Sequence, residues 1–557
     1  MIQRTPTATN TVPRIVGTVT TDDGKLRILS PYNAAALSFL QSLPYSKFVK
    51  PYRVCMATPL AAAMLAEAGL SLDEPAKQLA NLWWEGQLPA KIGQIAELLF
   101  TFKTTPWPHQ QRAMSYAVNK PATMLALSMG TGKSLTTLCL LQAWKSNFNL
   151  ILCPKSVMGV WRREFHKHCN VSHNVTVLDK GTSKAKAEEL KEAKRIASRY
   201  TINAVVINYE SSWREHIGEA LLGMAWDCVV ADESHRIKEM SSNQSKFAGS
   251  LAEVSSRRLA LTGTVMPRGA PIEVLGQYRF LEPAIFGTTK TRFQDKYCIM
   301  DSKVPGRVLS YINQDDFMER FGKIAYRVQS KDVLTLPAIQ QITIPVELEP
   351  KTRRYYETMK KECILELERG EVTAKNAAVK VMRLHQIACG HSKMEDGTIV
   401  NLGTEKRDVL MDMIEDISAD EPIVVFCKFL EDLKSIEYVA NKLKRRYGEI
   451  SGARKDLTSH STMPDNIDIM GVQVKAGGTG LDLTRARYMF WLSACDTWGD
   501  FDQAIARVHR PGQEKPVFVY HLAATNTVDI KIYRSLRNQE DVGLRLLEAL
   551  DHKDEEE

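Results

Sequence analysis

The chain has 557 residues, 44% hydrophobic and 25% charged, the ordinary make-up of a folded soluble protein long enough for several domains. Its ten cysteines stand singly with no CxxC pair, which argues against a disulfide scaffold or zinc ribbon and predicts a reduced, intracellular protein. A net charge of +8 permits a polyanionic partner without requiring one.

Residues 1–20 read as a flexible lead, since Met1–Pro13 is rich in Thr, Asn and Pro and has no apolar segment behind Arg4. Residues 21–100 differ in character. Ile28, Tyr32, Phe39, Leu43, Tyr45, Phe48, Tyr52 and Val54 alternate with the basic Lys47, Lys50 and Arg53. Such a stretch is either a small α+β module or an extension packed on the main body, and composition does not separate the two. Cys55–Leu70 is apolar but contains Pro59 and Glu67 and is too short for a bilayer span, so no membrane partner is expected.

Beyond Thr105, short apolar runs of strand length alternate with helical periods. Met124–Leu127, Leu150–Cys153, Val205–Ile207, Cys228–Ala231 and Leu259–Leu261 are predicted strands; Ser134–Lys145 and Ser183–Tyr200 are predicted helices. A second series follows Pro337, with strands Ile342–Val346, Ile423–Phe426, Ile469–Val474, Tyr488–Leu492 and Val517–Tyr520. Its helices are Lys351–Leu367, Lys375–Ala388 and Leu430–Arg445. The expectation is an α/β protein of two tandem lobes, 101–335 and 336–540, each a parallel sheet flanked by helices, with an acidic tail over 541–557. His385, Cys389 and His391 lie close together, but a fourth metal ligand is not apparent, which favours ordinary helix-end residues.

The chemistry-bearing residues begin at Ser128-Met129-Gly130-Thr131-Gly132-Lys133-Ser134, directly after a strand and opening a helix. Glycines there let backbone N–H groups approach phosphates, and the helix N-terminus adds a favourable dipole. Lys133 is placed to reach the β- and γ-phosphates of ATP, and the Ser134 hydroxyl to bind Mg²⁺. Leu127 stands where the pattern's first glycine belongs. The apolar run Asp227–Ala231 ends in Asp232-Glu233-Ser234-His235. A carboxylate there is costly unless used, so Asp232 is assigned to Mg²⁺ and Glu233 to the attacking water as general base. In the second lobe, Arg507 and Arg510 are spaced i, i+3 on a predicted helix, so both are expected on one face, suited to a γ-phosphate.

This ordered set resembles helicase superfamily two, and within it the SWI/SNF-like translocases, from about Pro106 to Ile532. Pro108-His109-Gln110 is similar to the adenine-reading Q motif and Ser128–Ser134 to motif I. Cys153-Pro154-Lys155-Ser156 is similar to motif Ia, Asp232–Lys238 to the DEAH-Arg-Ile-Lys form of motif II, and Leu261–Thr264 to motif III. Arg383–Ile387 and Val424–Phe426 resemble the lobe-two entry and motif IV, Lys475–Leu483 motif V, and Gln503–Gln513 motif VI. The resemblance implies two RecA-like lobes binding ATP through Gln110, Met129, Gly130, Thr131, Gly132, Lys133, Ser134, Gly480 and Asp482. Arg507 and Arg510 would be arginine fingers, and Lys155, Thr264, Lys475, Gly477, Gly478 and Trp498 contacts to DNA. It implies a double-stranded DNA track read with weak sequence specificity. The strand-separating helicase, the RNA-directed ATPase and the non-catalytic scaffold stand as rivals. Val265-Met266-Pro267-Arg268 departs from the family's Pro-Ile-Gln-Asn, and Trp498-Gly499-Asp500 from Trp-Asn-Pro. With no bromo-, chromo- or SANT-like region, a nucleosome remodeller is not the expectation. Ser30–Asn33, Leu40, Leu43-Pro44, Phe48, Arg53 and Leu60 weakly resemble a HARP-like module, which in relatives supports strand annealing and fork remodelling.

Overall fold

The computed structural model describes residues 13–31, 33–87, 103–198, 200–301, 308–368, 374–394, 397–458, 461–476, 481–530, 532, 533 and 536. Two compact units meet in sequence at Val333 and Leu334. The expected acidic tail, and Gly477, Gly478 and Gly480, lie outside the described residues.

Unit 1 opens with a five-stranded sheet of β1 (Thr18–Asp22), β2 (Lys25–Leu29), β3 (Lys47–Val49), β4 (Tyr52–Met56) and β5 (Ser71–Leu72), in the order β3-β4-β2-β1-β5. It is antiparallel except for the β1–β5 pair. Asp23 and Gly24, both at positive φ, form the tight turn that twists β1 onto β2. Of the expected flexible lead, residues 1–12 lie outside the described residues, and over 13–20 the expectation is corrected. Ile15 is buried, its N–H donates to Ala68 O at 2.7 Å, and β1 begins at Thr18. Helices α1 (Ala34–Ser42), α2 (Pro59–Glu67) and α3 (Glu74–Gln87) complete an α+β module.

Lobe 1 is a seven-stranded sheet in the order β14-β6-β11-β10-β7-β9-β8. The strands are β6 (Ala122–Leu127), β7 (Phe148–Cys153), β8 (His173–Val177), β9 (Ile202–Asn208), β10 (Trp226–Asp232), β11 (Ser255–Leu261) and β14 (Ala325–Val328), with an insertion hairpin β12 (Cys298–Met300) and β13 (Val308–Tyr311). Every pairing in the large sheet is parallel. Helices α4 (Pro108–Ala117), α5 (Lys133–Ala143), α6 (Met158–His168), α7 (Ser183–Ile196) and α8 (Val274–Leu281) belong to this lobe. Strand periodicity divides each central strand between two cores. Phe148, Leu150 and Leu152 of β7 face one, and Ile151 and Cys153 the other.

The first of those cores is shared with the N-terminal module. Leu26, Leu60 and Trp83 belong to the same buried cluster as Met124, Leu150 and Phe280. The two sequence readings of this stretch thus merge: an α+β module that closes one face of lobe 1. Two buried polar ties fix it. Lys120 Nζ donates to Gly86 O at 2.7 Å, and burial pulls the Lys120 pKa down to about 8. Glu282 accepts from the Leu60 N–H at 3.5 Å, which sets a carboxylate at the N-terminus of α2. Burial raises the Glu282 pKa; Arg258, the Thr58 hydroxyl and the Ala284 N–H pull against it.

Unit 2 is a six-stranded, wholly parallel sheet in the order β15-β22-β21-β18-β20-β19. Its strands are β15 (Ile339–Val346), β18 (Ile423–Cys427), β19 (Tyr447–Ile450), β20 (Ile469–Gln473), β21 (Tyr488–Trp491) and β22 (Val517–Ala524), with β16 (His391–Lys393) and β17 (Ile399–Asn401) as a side hairpin. Helices α9 (Pro350–Glu368), α10 (Ala374–Ala388), α11 (Glu405–Glu415), α12 (Leu430–Lys442) and α13 (Trp498–Val508) accompany it. A buried charge network closes the carboxyl ends of the strands. Lys406 Nζ lies 2.5 Å from Asp529 Oδ2 and donates to Leu492 O at 3.1 Å. His385, Cys389 and His391 turn to different partners here: Asp529 at 3.5 Å, Lys406 at 3.7 Å and Asp432 at 3.7 Å respectively. Among the described residues, no helix is long and apolar enough to cross a membrane.

Two outcomes follow. A chain beginning at Lys103 should lose soluble expression, because removing the module exposes one core face of lobe 1; size-exclusion yield of the truncated chain reads this directly. Burial of His385 lowers its pKa from 6.5 to about 3, so between those values the unfolded chain holds a proton that the native one does not. Stability of unit 2 should then fall on acidification through that window, with His385 contributing up to about 1.4 kcal/mol per pH unit. Urea midpoints at a series of pH values should slope less in His385→Phe than in the parent.

Candidate functional site

Three loops converge at the carboxyl edge of the lobe 1 sheet: those after β6, β11 and β10, in that lateral order. The loop after β6 is the glycine-rich segment. Gly130 and Gly132 adopt φ of 78° and 85°, a region that costs other residues energy. At Gly132 a Cβ would also lie 1.9 Å from Gln110 Nε2, so both backbone and space demand glycine. Thr131 is buried, its hydroxyl donating to Ser128 O at 2.7 Å, and Ser330 Oγ donates to Met129 O at 3.0 Å. Lys133 and Ser134 open α5 and are half-buried; Lys133 Nζ donates to Leu127 O at 3.3 Å.

Gln110 is buried against this loop. Its Nε2 donates to Thr131 O at 2.9 Å while its Oε1 accepts from the Trp107 N–H at 2.8 Å. His109 Nε2 lies 2.9 Å from the same Thr131 carbonyl. The His109-Gln110 segment therefore holds the glycine loop from the side.

Asp232 ends β10, whose preceding residues Cys228–Ala231 are fully buried. Burial and the neighbouring Glu233 push the Asp232 carboxyl well above the usual carboxylate range; Lys133 and the Trp161 indole oppose that shift. Trp161 Nε1 donates to Asp232 Oδ2 at 3.0 Å, and Tyr209 OH donates to Asp232 O at 2.8 Å. Glu233 follows in a left-handed conformation, φ 52°, an uncommon posture for a non-glycine residue and one that gathers at functional sites. Its side chain is buried, with Oε2 lacking a hydrogen-bond partner and 3.4 Å from His235 Nδ1. The half-buried Asp232 and the buried Glu233, two carboxylates facing the single cation Lys133, are hard oxygen donors in excess of positive charge, which fits Mg²⁺ at Asp232 with the half-buried Ser134 hydroxyl.

A polar chain connects this pair to the loop after β11. His235 Nδ1 lies 3.2 Å from Thr262 Oγ1, and Ser234 Oγ donates to Gln277 Oε1 at 2.8 Å. Gln277 Nε2 donates in turn to Val265 O at 2.9 Å. Gln277, Trp161 and Tyr209 were absent from the sequence-derived site. Gln277 left one trace, a lone amide in the apolar helix α8, where it is fully buried.

The DNA candidates fall into different settings. Lys155 and Lys475 are exposed, Trp498 is half-buried against Phe501, and Thr264 is buried with Oγ1 unbonded. Asp482 Oδ1 accepts from the Thr484 N–H at 3.1 Å and the Thr484 hydroxyl at 2.7 Å. The expected pair of arginines on one helix face is corrected. Arg507 sits on α13 and is buried, but α13 ends at Val508 and His509 leaves helical geometry at ψ 84°. Arg510 lies beyond the helix, with Nη1 donating to Leu481 O at 3.1 Å and 4.0 Å from Asp482. The imidazole of His509, 2.8 Å from Pro337 O, takes the chain out of the helix between them.

Comparison with known proteins places this architecture. Residues 78–394 match the SNF2-related domain, and residues 405–512 the helicase conserved C-terminal domain. A Caenorhabditis elegans homolog of the SWI/SNF-related matrix-associated actin-dependent regulator of chromatin subfamily A-like protein 1 is 25% identical over 78% of this chain and 61% of its own length. Protein p41 of Acyrthosiphon pisum secondary endosymbiont phage 1 is 25% identical over 81% of this chain and 99% of its own length. The chain spans 41% of a zebrafish (Danio rerio) chromodomain-helicase-DNA-binding protein 1-like relative, at 24% identity over 74% of this chain. The Sulfolobus solfataricus SWI2/SNF2 ATPase core solved with dsDNA has 19% identity and a TM-score of 0.38, covering 81% of this chain and 94% of that one. With the first of these domains matching over half of its length, the chain belongs to the SNF2-related family.

Proposed function

We propose that this protein is an ATP-driven motor on double-stranded DNA, hydrolysing ATP and moving along the duplex. The observation that carries the reading is the joint presence, at one sheet edge, of a left-handed glycine loop ending in Lys133 and the adjacent carboxylates of half-buried Asp232 and buried Glu233. Family membership and the relatives' helicase and chromatin titles support the DNA partner.

In this reading the backbone N–H groups of Met129–Lys133 and the Lys133 ammonium hold the phosphates, and the second N–H and lone pair of Gln110 read the adenine. Ser134 and Asp232 would hold Mg²⁺, which neutralises charge on the β- and γ-phosphate oxygens when bound. Glu233 accepts a proton from the attacking water as that water's oxygen bonds the γ-phosphorus and ADP leaves. Arg507 and Arg510, from the second lobe, stabilise the charge that develops on the transferred group, with Gly480 and Asp482 completing that side. Lys155 and Lys475, with Thr264, Gly477, Gly478 and Trp498, grip the phosphates of one DNA strand. Such contacts position without reading sequence, so affinity falls steeply with salt. Remodelling of forks or annealing of strands, through the N-terminal module as a HARP-like element, is the finer reading.

ATPase rates with duplex, single-stranded, forked DNA and RNA test this. Duplex should stimulate most; stimulation by single strands or RNA alone sinks the duplex reading. Glu233→Gln should lower stimulated kcat by about 10²–10⁴-fold while retaining ATP binding, whereas Lys133→Ala should weaken binding itself. Gln277→Leu should reduce the DNA-stimulated rate more than the basal rate, since it removes the bridge between Ser234 and Val265 without touching the phosphate loop.

A further inference from the structure

A recess of about 560 Å³ lies on lobe 1, lined by Arg162, Arg163, His166, His173, Asn174 and Val175. None of these residues belongs to the nucleotide site or to the proposed DNA contacts. The lining joins two elements. On α6, Met158, Trp161, Phe165 and His168 are buried, and helical periodicity turns Arg162, Arg163 and His166 to the solvent side. Glu164 belongs to the other flank, 3.6 Å from His168, so the lining contains no acid.

The second element is β8, which ends the sheet and has no strand beyond it among the described residues. Ser172 O accepts from the Ile202 N–H, and the Leu178 N–H donates to Val206 O, so even-numbered residues bond towards β9. In a parallel pair the odd-numbered residues then point outward. The N–H groups of His173, Val175 and Val177 face the open edge, together with the His173 carbonyl. Val175 O accepts from the exposed Arg162 guanidinium at 3.3 Å, and Val177 O from the Asp179 N–H at 3.0 Å. The recess therefore presents a row of backbone donors, one backbone acceptor, two guanidinium groups and two imidazoles.

We propose that this edge docks an extended acidic segment of a partner protein, which adds as a strand to β8 and sets alternate carboxylates against Arg162, Arg163 and His166. Strand addition satisfies edge donors and acceptors together, and a period of two residues puts every second side chain on the basic side. A nucleic-acid backbone also complements the positive charge. The sugar-phosphate backbone of DNA offers acceptors only, and leaves the His173 carbonyl without a donor. Carboxylates match the guanidinium forks in charge and in geometry.

The test titrates the full-length chain with a short fluorescein-labelled Glu-Val repeat peptide and its Gln-Val counterpart, at low and high salt. Amide hydrogen exchange is read across 173–177 in parallel. The Glu-Val peptide should bind in a salt-dependent manner, the Gln-Val peptide at least about tenfold more weakly, and the 173–177 amides should gain protection. The double variant R162E/R163E should lose about tenfold in peptide affinity while its DNA-stimulated ATPase stays at the parent rate. Absence of peptide binding overturns the proposal, and leaves these cations as guards of an edge that stays unpaired. Binding without protection at 173–177 overturns strand addition. Displacement of the peptide by an oligonucleotide that leaves those amides unprotected assigns the recess to nucleic acid instead.

Discussion

Two adjacent carboxylates at the end of a fully buried strand set the terms for lobe 1. Cys228–Ala231 have no solvent on either face, so Asp232 and Glu233 emerge from an environment that penalises charge. The surroundings offset that penalty at Asp232 from two directions: Lys133 from the glycine loop and the Trp161 indole from α6. The left-handed backbone of Glu233 belongs to the same arrangement, because it turns the second carboxylate inward instead of releasing it to water. A site that holds negative charge under this constraint is prepared for a cation and for a proton.

Parallel pairing is what lets the loops meet there. β11 lies between β6 and β10, so the segment joining Thr262 to Val265 is flanked by the glycine loop and the carboxylates. The His235–Thr262 contact and the Ser234–Gln277–Val265 chain tie that segment to the carboxylate turn. Unit 2 manages charge differently. Its Lys406–Asp529 pair is dry and closed, and His385 beside it is kept neutral by burial. Removing one partner there exposes the other to the full cost of an unpaired buried ion. This network holds the strand ends of unit 2 together, and its three His and Cys members each serve that packing.

The N-terminal module is part of the same energetic unit as lobe 1. Its small sheet and three helices bury too little on their own, and the shared core gives both partners an apolar face to cover. The Glu282 carboxylate at the start of α2 and Lys120 on Gly86 add direction to an otherwise non-directional contact. β8, at the far end of the lobe 1 sheet, is the counterpart: a half-buried, polar strand with basic neighbours and, among the described residues, no strand beyond it.

Central strands were legible in the sequence because burial on both faces requires uninterrupted apolar runs, as in Leu150–Cys153, Val205–Ile207 and Val424–Phe426. The two edge strands of the lobe 1 sheet were not, since the half-covered β8 (His-Asn-Val-Thr-Val) and β14 (Ala-Tyr-Arg-Val) lack that signature. The Asp23-Gly24 hairpin signal was present and unused, and the module was misjudged at its start for that reason. Sequence alone determined the two-lobed α/β class and the local chemistry of Gly130–Ser134 and Asp232–Glu233, because these depend on neighbours along the chain. Only the tertiary structure decided that Gln110 clasps the glycine loop, that Gln277 bridges two loops, that Arg510 lies beyond the helix carrying Arg507, and that the module completes one core face of lobe 1. Those features arise from contacts between residues distant in sequence, and from where a helix ends, which side-chain spacing does not encode.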